Sequence, residues 1–491
     1  MQGCSAELVS LNPHLMTSRT FCIHGHFYQP TREDPLTGLI PTEPGAAPYA
    51  NWNERINAEC YRPNAELGNF EHISFNIGPT LFSWMAIHDP VTYNRIITQT
   101  QANFTRYGVG NAMAQGYHHT ILPLASATDK NIQVYWGITD FESRFGRKPQ
   151  GMWLPETAVD NATLTVLAHN GIEFTILAPW QANEQGLDYT KPYRVVLPDG
   201  KNITVFLYHG ELSGGVSFNS ELTADADRFA TNNLIRYFRP DQGRASEEQM
   251  LLLASDGELY GHHKPFREQF LARLLNGASV HAGLTPTYPA LWLKDHPARE
   301  YITIREYTSW SCHHGVARWS GECGCTPGAG SWKTPLRRSL DNLAAALDSL
   351  YLDAVYSEIS KPRVLREQYI HVLLGKITAD ELINEMANQV LTTEQIQRIK
   401  ILLRAQNERQ RMFASCGWYH EDFDRIEPKN SLAYAAQAIC LTHIATGEDL
   451  APWVFADIKH VVSTRTGLRA ESVFQAQLER AYEKCERGSH R

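Results

Sequence analysis

At 491 residues the chain is longer than one compact core usually fills, so a large catalytic domain with a second domain is expected. Apolar residues at 43% and charged residues at 20% are ordinary for a soluble enzyme, and 45 basic against 53 acidic residues give −8 without long single-sign runs. That balance speaks against nucleic acid or an anionic membrane as the main partner and is compatible with a neutral substrate. No apolar run reaches membrane-spanning length, and Met1 to Arg19 lacks the basic stretch and apolar core of a signal peptide. Nine cysteines, an odd number, with Cys312, Cys323 and Cys325 clustered, fit reduced thiols in the cytoplasm better than a disulfide framework.

From Thr20 to about Glu306 short apolar runs alternate with helical text. Phe21–His24, Ile73–Ile77, Gly151–Leu154, Phe174–Leu177, Ile203–Tyr208 and Met250–Ala254 read as buried parallel strands, and His, Asn, Glu or Asp repeatedly follow them. Near-continuous apolar strands separated by helices predict an α/β sheet covered on both faces, here one βα barrel with polar residues at its strand ends. Between Thr308 and Thr334 the composition turns to Trp, Cys, Gly and Ser, which predicts a long irregular loop or a boundary. Thr334 then reads as an N-cap with Pro335 at the first helical position, and Leu336, Leu340, Leu343, Leu347, Leu350 and Ala354 form one apolar stripe. Thr378 with Glu381 and Thr392 with Gln395 have the spacing of capping boxes. The expected division is a barrel over residues 18–331 and a helical domain over 332–491, with Ser415–Asp422 sending a loop back over the barrel mouth.

Two acidic motifs 100 residues apart carry the chemistry: Trp153-Leu154-Pro155-Glu156 and Ser255-Asp256-Gly257-Glu258. Each follows an apolar run, where a strand gives way to a loop. Two carboxyl groups facing one another across a sugar are what cleavage of a glycosidic bond requires, one ionised and one holding a proton for the leaving oxygen. His24 and His26, two apart on a strand, face the same way and can reach a sugar hydroxyl or a metal. His119 and His209 are weaker candidates of the same kind. Trp153 and Trp310 offer flat apolar faces for a pyranose, or core packing instead, and Trp418 lies in the segment expected over the mouth. Cys312-His313-His314 with Cys323-Gly324-Cys325 could hold zinc but matches no common structural zinc spacing, so packed reduced thiols without a metal are expected there.

In order along the chain these motifs resemble glycoside hydrolase family 57, over roughly residues 20 to 440. His24-Gly25-His26-Phe27-Tyr28-Gln29-Pro30 is similar to the family's first motif, with two residues between His26 and Gln29. Gly110-Asn111-Ala112-Met113 with His118, His119 and Pro123 is similar to the second, with Met113 where many members carry glutamate. The motif ending in Glu156 resembles the third, and Ser255–Glu258 the fourth. Trp52-Asn53-Glu54-Arg55 and Thr308-Ser309-Trp310-Ser311-Cys312 are similar to a poorly characterised, α-amylase-like branch.

The resemblance implies an incomplete seven-stranded (β/α) barrel followed by a C-terminal α-helical domain. It further implies a retaining hydrolase or glucanotransferase acting on α-linked oligo- or polysaccharides, with Glu156 as nucleophile and Asp256 as general acid/base. His24, His26, Gln29, His119, Trp153, His209, Trp310 and Trp418 are the expected sugar contacts, with no cofactor. Glu258 could replace Asp256 as the acid. The alternatives are a metal-dependent polysaccharide deacetylase or mannosidase-like hydrolase, which needs an aspartate beside His24 and His26, and a carbohydrate-binding protein without turnover.

Overall fold

The computed structural model describes residues 19–239 and 248–488. The expectation of no signal peptide therefore falls almost entirely on residues outside the described range. The described residues contain ten strands: β1 (Arg19–Phe27), β2 (Ser74–Ile77), β3 (Ala114–Gln115), β4 (Met152–Trp153), β5 (Phe174–Leu177), β6 (Tyr193–Val196), β7 (Asn202–Leu207), β8 (Gln249–Asp256), β9 (Thr285–Pro286) and β10 (Glu300–Ile302).

Seven of them run parallel around a barrel. β1 lies between β2 and β8, β3 pairs with β4, and β5 with β7. Single bridges, Phe75 to Ala112 and Gly151 to Phe174, join β2 to the β3 segment and β4 to β5. Between the end of β7 and β8 the link is the His209 N–H donating to the Leu252 carbonyl at 2.7 Å. The order is thus β1-β2-β3-β4-β5-β7-β8, an incompletely laddered seven-stranded barrel. β9 pairs with the first residues of β1, while β6 adds antiparallel to β7 and carries β10.

Side-chain alternation along the strands separates two cores, as the two-residue period requires. Phe21, Ile23 and Phe27 with Leu251 and Leu253 face the surrounding helices. Cys22 with Leu252, Ala254, Met113, Trp153 and Phe206 fill the lumen. His24 and His26 share the parity of Cys22, so both point inward, and the register sets His26 beside Asn76 on one neighbour and Asp256 on the other.

The C-terminal region is helical. Both capping boxes form as the spacing predicts, at Thr378 with Glu381 and at Thr392 with Gln395. The first long helix, Lys333–Val355, begins earlier than expected: it continues from a single turn at Gly330–Trp332, so Thr334 lies inside it and is not its N-cap. Pro335 is tolerated because first-turn N–H groups have no intrahelical partner. Leu336, Leu340, Leu343 and Leu347 are buried as one stripe, which then passes to Tyr351 and Val355 in place of Leu350 and Ala354. Helix Ile426–Thr446 is apolar around most of its circumference, and helices Thr393–Arg411 and Ala470–Gly488 pack against it. A bidentate pair ties this region to the barrel, with Arg409 Nη1 and Nη2 on the Asp129 carboxylate at 2.7 and 2.9 Å. Among the described residues no helix is long and apolar enough to cross a membrane.

Candidate active site

All seven strands end on one face of the barrel, and the chemically distinctive side chains gather there. After β4 the chain makes a tight turn at Pro155–Thr157 in which Glu156 and Thr157 both take left-handed backbone angles, φ 58° and 47°. Such angles cost about 1–3 kcal/mol each in a non-glycine residue and persist only where the surroundings impose them. Here Thr157 donates through Oγ1 to Gln181 Oε1 at 2.9 Å and accepts Gln181 Nε2 on its carbonyl at 2.8 Å. The Trp310 N–H donates to the Glu156 carbonyl at 3.1 Å. The turn is therefore clamped from two sides, and its strain aims one carboxylate.

That carboxylate is held as firmly as its backbone. Glu156 Oε2 accepts from Trp310 Nε1 at 3.0 Å and from Ser311 Oγ at 2.8 Å. Burial lifts its pKa above the ordinary glutamate value, while these two donors and the nearby Arg318 guanidinium favour the ionised form. Arg318 is itself buried, lying over the Tyr419 ring at 4.6 Å.

Asp256, at the end of β8, has a different setting. Its side chain is open to water, yet the walls of the recess crowd around it. Partial desolvation by those walls, then the charge of Glu156, push its pKa up to about 7. No hydrogen bond from the described residues opposes that rise. The next residue has to be glycine for steric reasons: a Cβ on Gly257 would lie 2.3 Å from the Phe27 ring. Glu258 is buried and turned into the protein, its Oε1 accepting from the Tyr61 hydroxyl at 2.7 Å and the Tyr28 N–H at 3.1 Å. Burial holds its proton to about pH 8, partly against the Tyr61 bond.

Behind the carboxyl groups stands a stack of neutral rings. His24 lies on Trp153 at 4.6 Å, His26 on the same indole at 5.2 Å, and Tyr28 on His119 at 3.8 Å. His24 bonds Ser74 Oγ at 2.9 Å, Asn76 bridges His24 and His26, and His26 Nε2 meets His119 Nε2 at 3.2 Å. His119 continues to Ser415 Oγ at 2.5 Å, on the segment that the helical region sends back to the barrel. Burial lowers the pKa values of His24 and His26 to about 3 and 4 and that of His119 far below its usual value, so all three are uncharged near neutrality.

Glu156, Asp256, His26, His119 and Trp310 are thus neighbours at the strand ends: Trp310 bonds Glu156, His26 lies edge-on to Trp310 at 6.1 Å and meets His119, and the β1–β8 register sets His26 beside Asp256, with Trp310 partly exposed. Two of the expected sugar contacts are corrected. Trp153 is 0% exposed and sandwiched against the histidines, so it supports them and has no free face for a pyranose. Trp418 is 1% exposed and packs parallel to Trp332 inside the helical core, because its helix turns it away from the mouth. His24 is likewise wholly enclosed and acts through Asn76 and Trp153. Gln29 is buried with its amide oxygen on Arg32 Nη2 at 2.9 Å. His209 is half-buried, accepts the Leu212 N–H, and lies against Tyr237 near the β7–β8 joint.

Ser311, Arg318, Tyr419 and Asn76 belong to the site without having been singled out from sequence. Only Ser311 and Asn76 had a signal, the first beside Trp310 and the second at a strand end facing His26. Among the described residues the cluster Cys312, His314, Cys323 and Cys325 is the one set of three or more donor side chains close enough to share a metal ion; the barrel-mouth histidines form none.

A parallel barrel carrying two unlike carboxyl groups at its strand ends is the architecture of a carbohydrate-active hydrolase. Residues 92–305 match the model of glycosyl hydrolase family 57, and residues 329–487 match that of a domain of unknown function, DUF3536. No curated protein matches the sequence. The fold is similar to that of an exo-type maltose-forming amylase from Pyrococcus sp. ST04, with TM-score 0.73 and 15% identity over 94% of this chain and 88% of that one. It is also similar to a branching enzyme from Pyrococcus horikoshii, with TM-score 0.60 and 14% identity over 93% and 97%. A 4-α-glucanotransferase from Thermococcus litoralis gives TM-score 0.55 and 14% identity over 87% and 60%. Over residues 92–305 the sequence is thus similar to glycosyl hydrolase family 57, and the structural likeness extends over most of the chain.

Proposed function

We propose that the protein is a retaining glycoside hydrolase or glucanotransferase acting on α-linked glucans. The observation that carries this reading is the unlike setting of two neighbouring carboxyl groups: Glu156 is fixed by two donors with the Arg318 charge nearby, while Asp256 has no donor among the described residues and keeps its proton to about pH 7. Glu156 attacks the anomeric carbon, and Asp256 gives its proton to the departing oxygen. Asp256, now ionised, then takes a proton from water or from an acceptor hydroxyl as that oxygen attacks the glycosyl-enzyme and releases Glu156. Glu258 suits the acid role less well, because its Oε1 already accepts two hydrogen bonds from inside the protein.

The α-glucan is inferred from the family together with the amylase, branching enzyme and glucanotransferase that share the fold. Trp310 offers the sugar-stacking face, with the enclosed His26 and His119 supporting it from behind and Gln29 and His209 further out. Both chemical steps are supplied by carboxyl groups, so the reading calls for no organic cofactor and leaves the metal-dependent alternative without a role at the barrel mouth. We further propose a catalytic unit over residues 18–331 and a helical unit over 332–491, and a cytoplasmic location on the strength of the free thiols. Product analysis on maltooligosaccharides and glycogen tests the function. Short products retaining the α-anomer signify hydrolysis, and longer or newly branched ones signify transfer. β-Anomeric products, or no turnover of either substrate by folded protein, would contradict it.

A further inference from the structure

Between Thr308 and Trp332 the chain has almost no regular structure, only single helical turns at Ala317–Trp319 and Gly330–Trp332. This stretch nevertheless delivers Trp310 and Ser311 to the Glu156 carboxylate. Something must fix it. Immediately after Ser311 come the only side chains among the described residues grouped as a metal donor set: Cys312, His314, Cys323 and Cys325 offer ligand atoms all within 4.8 Å of one another.

We propose that these four residues form a structural zinc site that fastens the loop supporting Glu156. Cys312 Sγ and Cys325 Sγ are 3.6 Å apart, and His314 Nδ1 is 3.2 Å from Cys325 Sγ. A tetrahedron with zinc–sulfur bonds of about 2.3 Å has sulfur–sulfur edges of roughly 3.8 Å, whereas a disulfide needs about 2.05 Å. The spacing in hand is that of ligands around a common centre. Three thiolates and one imidazole satisfy zinc's preference for soft donors in four-fold coordination, and a closed set of this kind leaves no open position for a substrate.

The outer contacts agree with a thiolate site. The backbone N–H groups of His314 and Arg318 favour the charged form of the Cys312 thiol, and that of His313 favours it at Cys325, a setting suited to metal-bound thiolates. Gly324 adopts a left-handed φ of 68°, which lets Cys323 and Cys325 turn toward the same point across a single intervening residue. Lys333, buried with its ammonium on the Arg318 carbonyl at 3.0 Å, adds positive charge beside the sulfurs. The ligands stand on a Cys-x-His and a Cys-x-Cys pair, a spacing unlike the familiar finger patterns, which is why sequence alone favours bare thiols. The assignment stands independently of the reaction at Glu156 and Asp256.

The test is metal analysis of purified full-length protein saturated with zinc and passed through a desalting column. We expect about one zinc per chain. Cys325→Ser and His314→Ala should each lower the retained metal by about tenfold or more, whereas Cys416→Ser, outside the cluster, should retain it. Because a ligand variant can fail to fold, cobalt exchange into the wild-type protein gives a second reading: thiolate-to-cobalt charge-transfer bands and the intense visible absorption of tetrahedral cobalt are expected. Hydrogen exchange in the peptide spanning 308–332 should quicken on chelation while the barrel strands stay protected. Folded wild-type protein that retains no zinc and gives no tetrahedral cobalt spectrum, or a mass showing Cys312 and Cys325 joined as a disulfide, would overturn the site.

Discussion

The two carboxyl-bearing corners of the barrel are built in opposite ways. At the end of β4, Glu156 sits on a strained turn, its oxygen takes two donors, and an arginine faces it. At the end of β8, Asp256 follows directly from a regular strand and has no hydrogen-bond partner among the described residues to steady its charge. A donor set lowers the cost of a negative charge, whereas a crowded recess with a neighbouring anion raises it. On the proposed reading the same chemical group takes two roles by surroundings alone. This is the usual way in which one site runs nucleophilic and acid chemistry at one pH.

The largest expected effect breaks the comparison at its fixed side. Glu156→Ala should lower turnover roughly ten-thousandfold or more, with circular dichroism unchanged and partial rescue by azide filling the vacated space. Wild-type rates in the folded variant would remove the assignment. Next comes Asp256→Asn, expected to cost about 10²–10⁴-fold on glucans and much less on activated aryl glycosides, whose leaving groups need little protonation. Equal losses on both substrates would reduce Asp256 to a structural residue.

A smaller change sharpens the contrast. Ser311→Ala deletes one charge-assisted bond to Glu156, worth about 1.5–3 kcal/mol, and should slow the reaction about tenfold or somewhat more. Since that bond lowers the Glu156 pKa, the acidic limb of the pH–rate profile should move to higher pH. A loss without a shift of that limb would mean that Ser311 supports only the loop. On the proposed reading the basic limb belongs to Asp256. Its folded pKa of about 7 lies above its ordinary value of 3.8, so activity should fall as pH rises through about 7. The same sign applies to stability: the folded state binds the proton more tightly, so this residue makes folding less favourable as pH rises from about 4 to about 7. Thermal melts of Asp256→Asn should show that slope reduced relative to wild type. The smallest effect on catalysis is expected at Trp418, where Trp418→Phe should lower the melting temperature through lost packing and leave KM unchanged.

The seven-strand barrel was largely legible because buried parallel strands are written as continuous apolar runs, as at Phe21–His24 and Met250–Ala254. Strand β3 was not, since two residues in Ala112-Met113-Ala114-Gln115 give no period to read, and the β6 hairpin was hidden by its half-exposed Tyr193-Arg194-Val195-Val196. Both carboxyl groups could be found from sequence because each closes an apolar run. Arg318 could not: its charge acts on Glu156 from an aperiodic loop, and nothing local marks a cation that acts 162 positions away in sequence. Trp153 and Trp418 were ambiguous for the opposite reason. An indole suits a sugar and a core equally well, and only packing decides between them.

The central claim is that Glu156 becomes covalently glycosylated. Incubating the wild-type enzyme with a 5-fluoro-α-glucosyl fluoride, which forms the intermediate and slows its breakdown, followed by digestion and tandem mass spectrometry, addresses it directly. The account predicts one fluoroglucosyl group per chain, on the Glu156 side chain, absent from Glu156→Ala and released on adding a maltooligosaccharide acceptor. A label on Asp256, Glu258 or any other residue, or consumption of the fluoride without a covalent adduct and with inverted product, would contradict it.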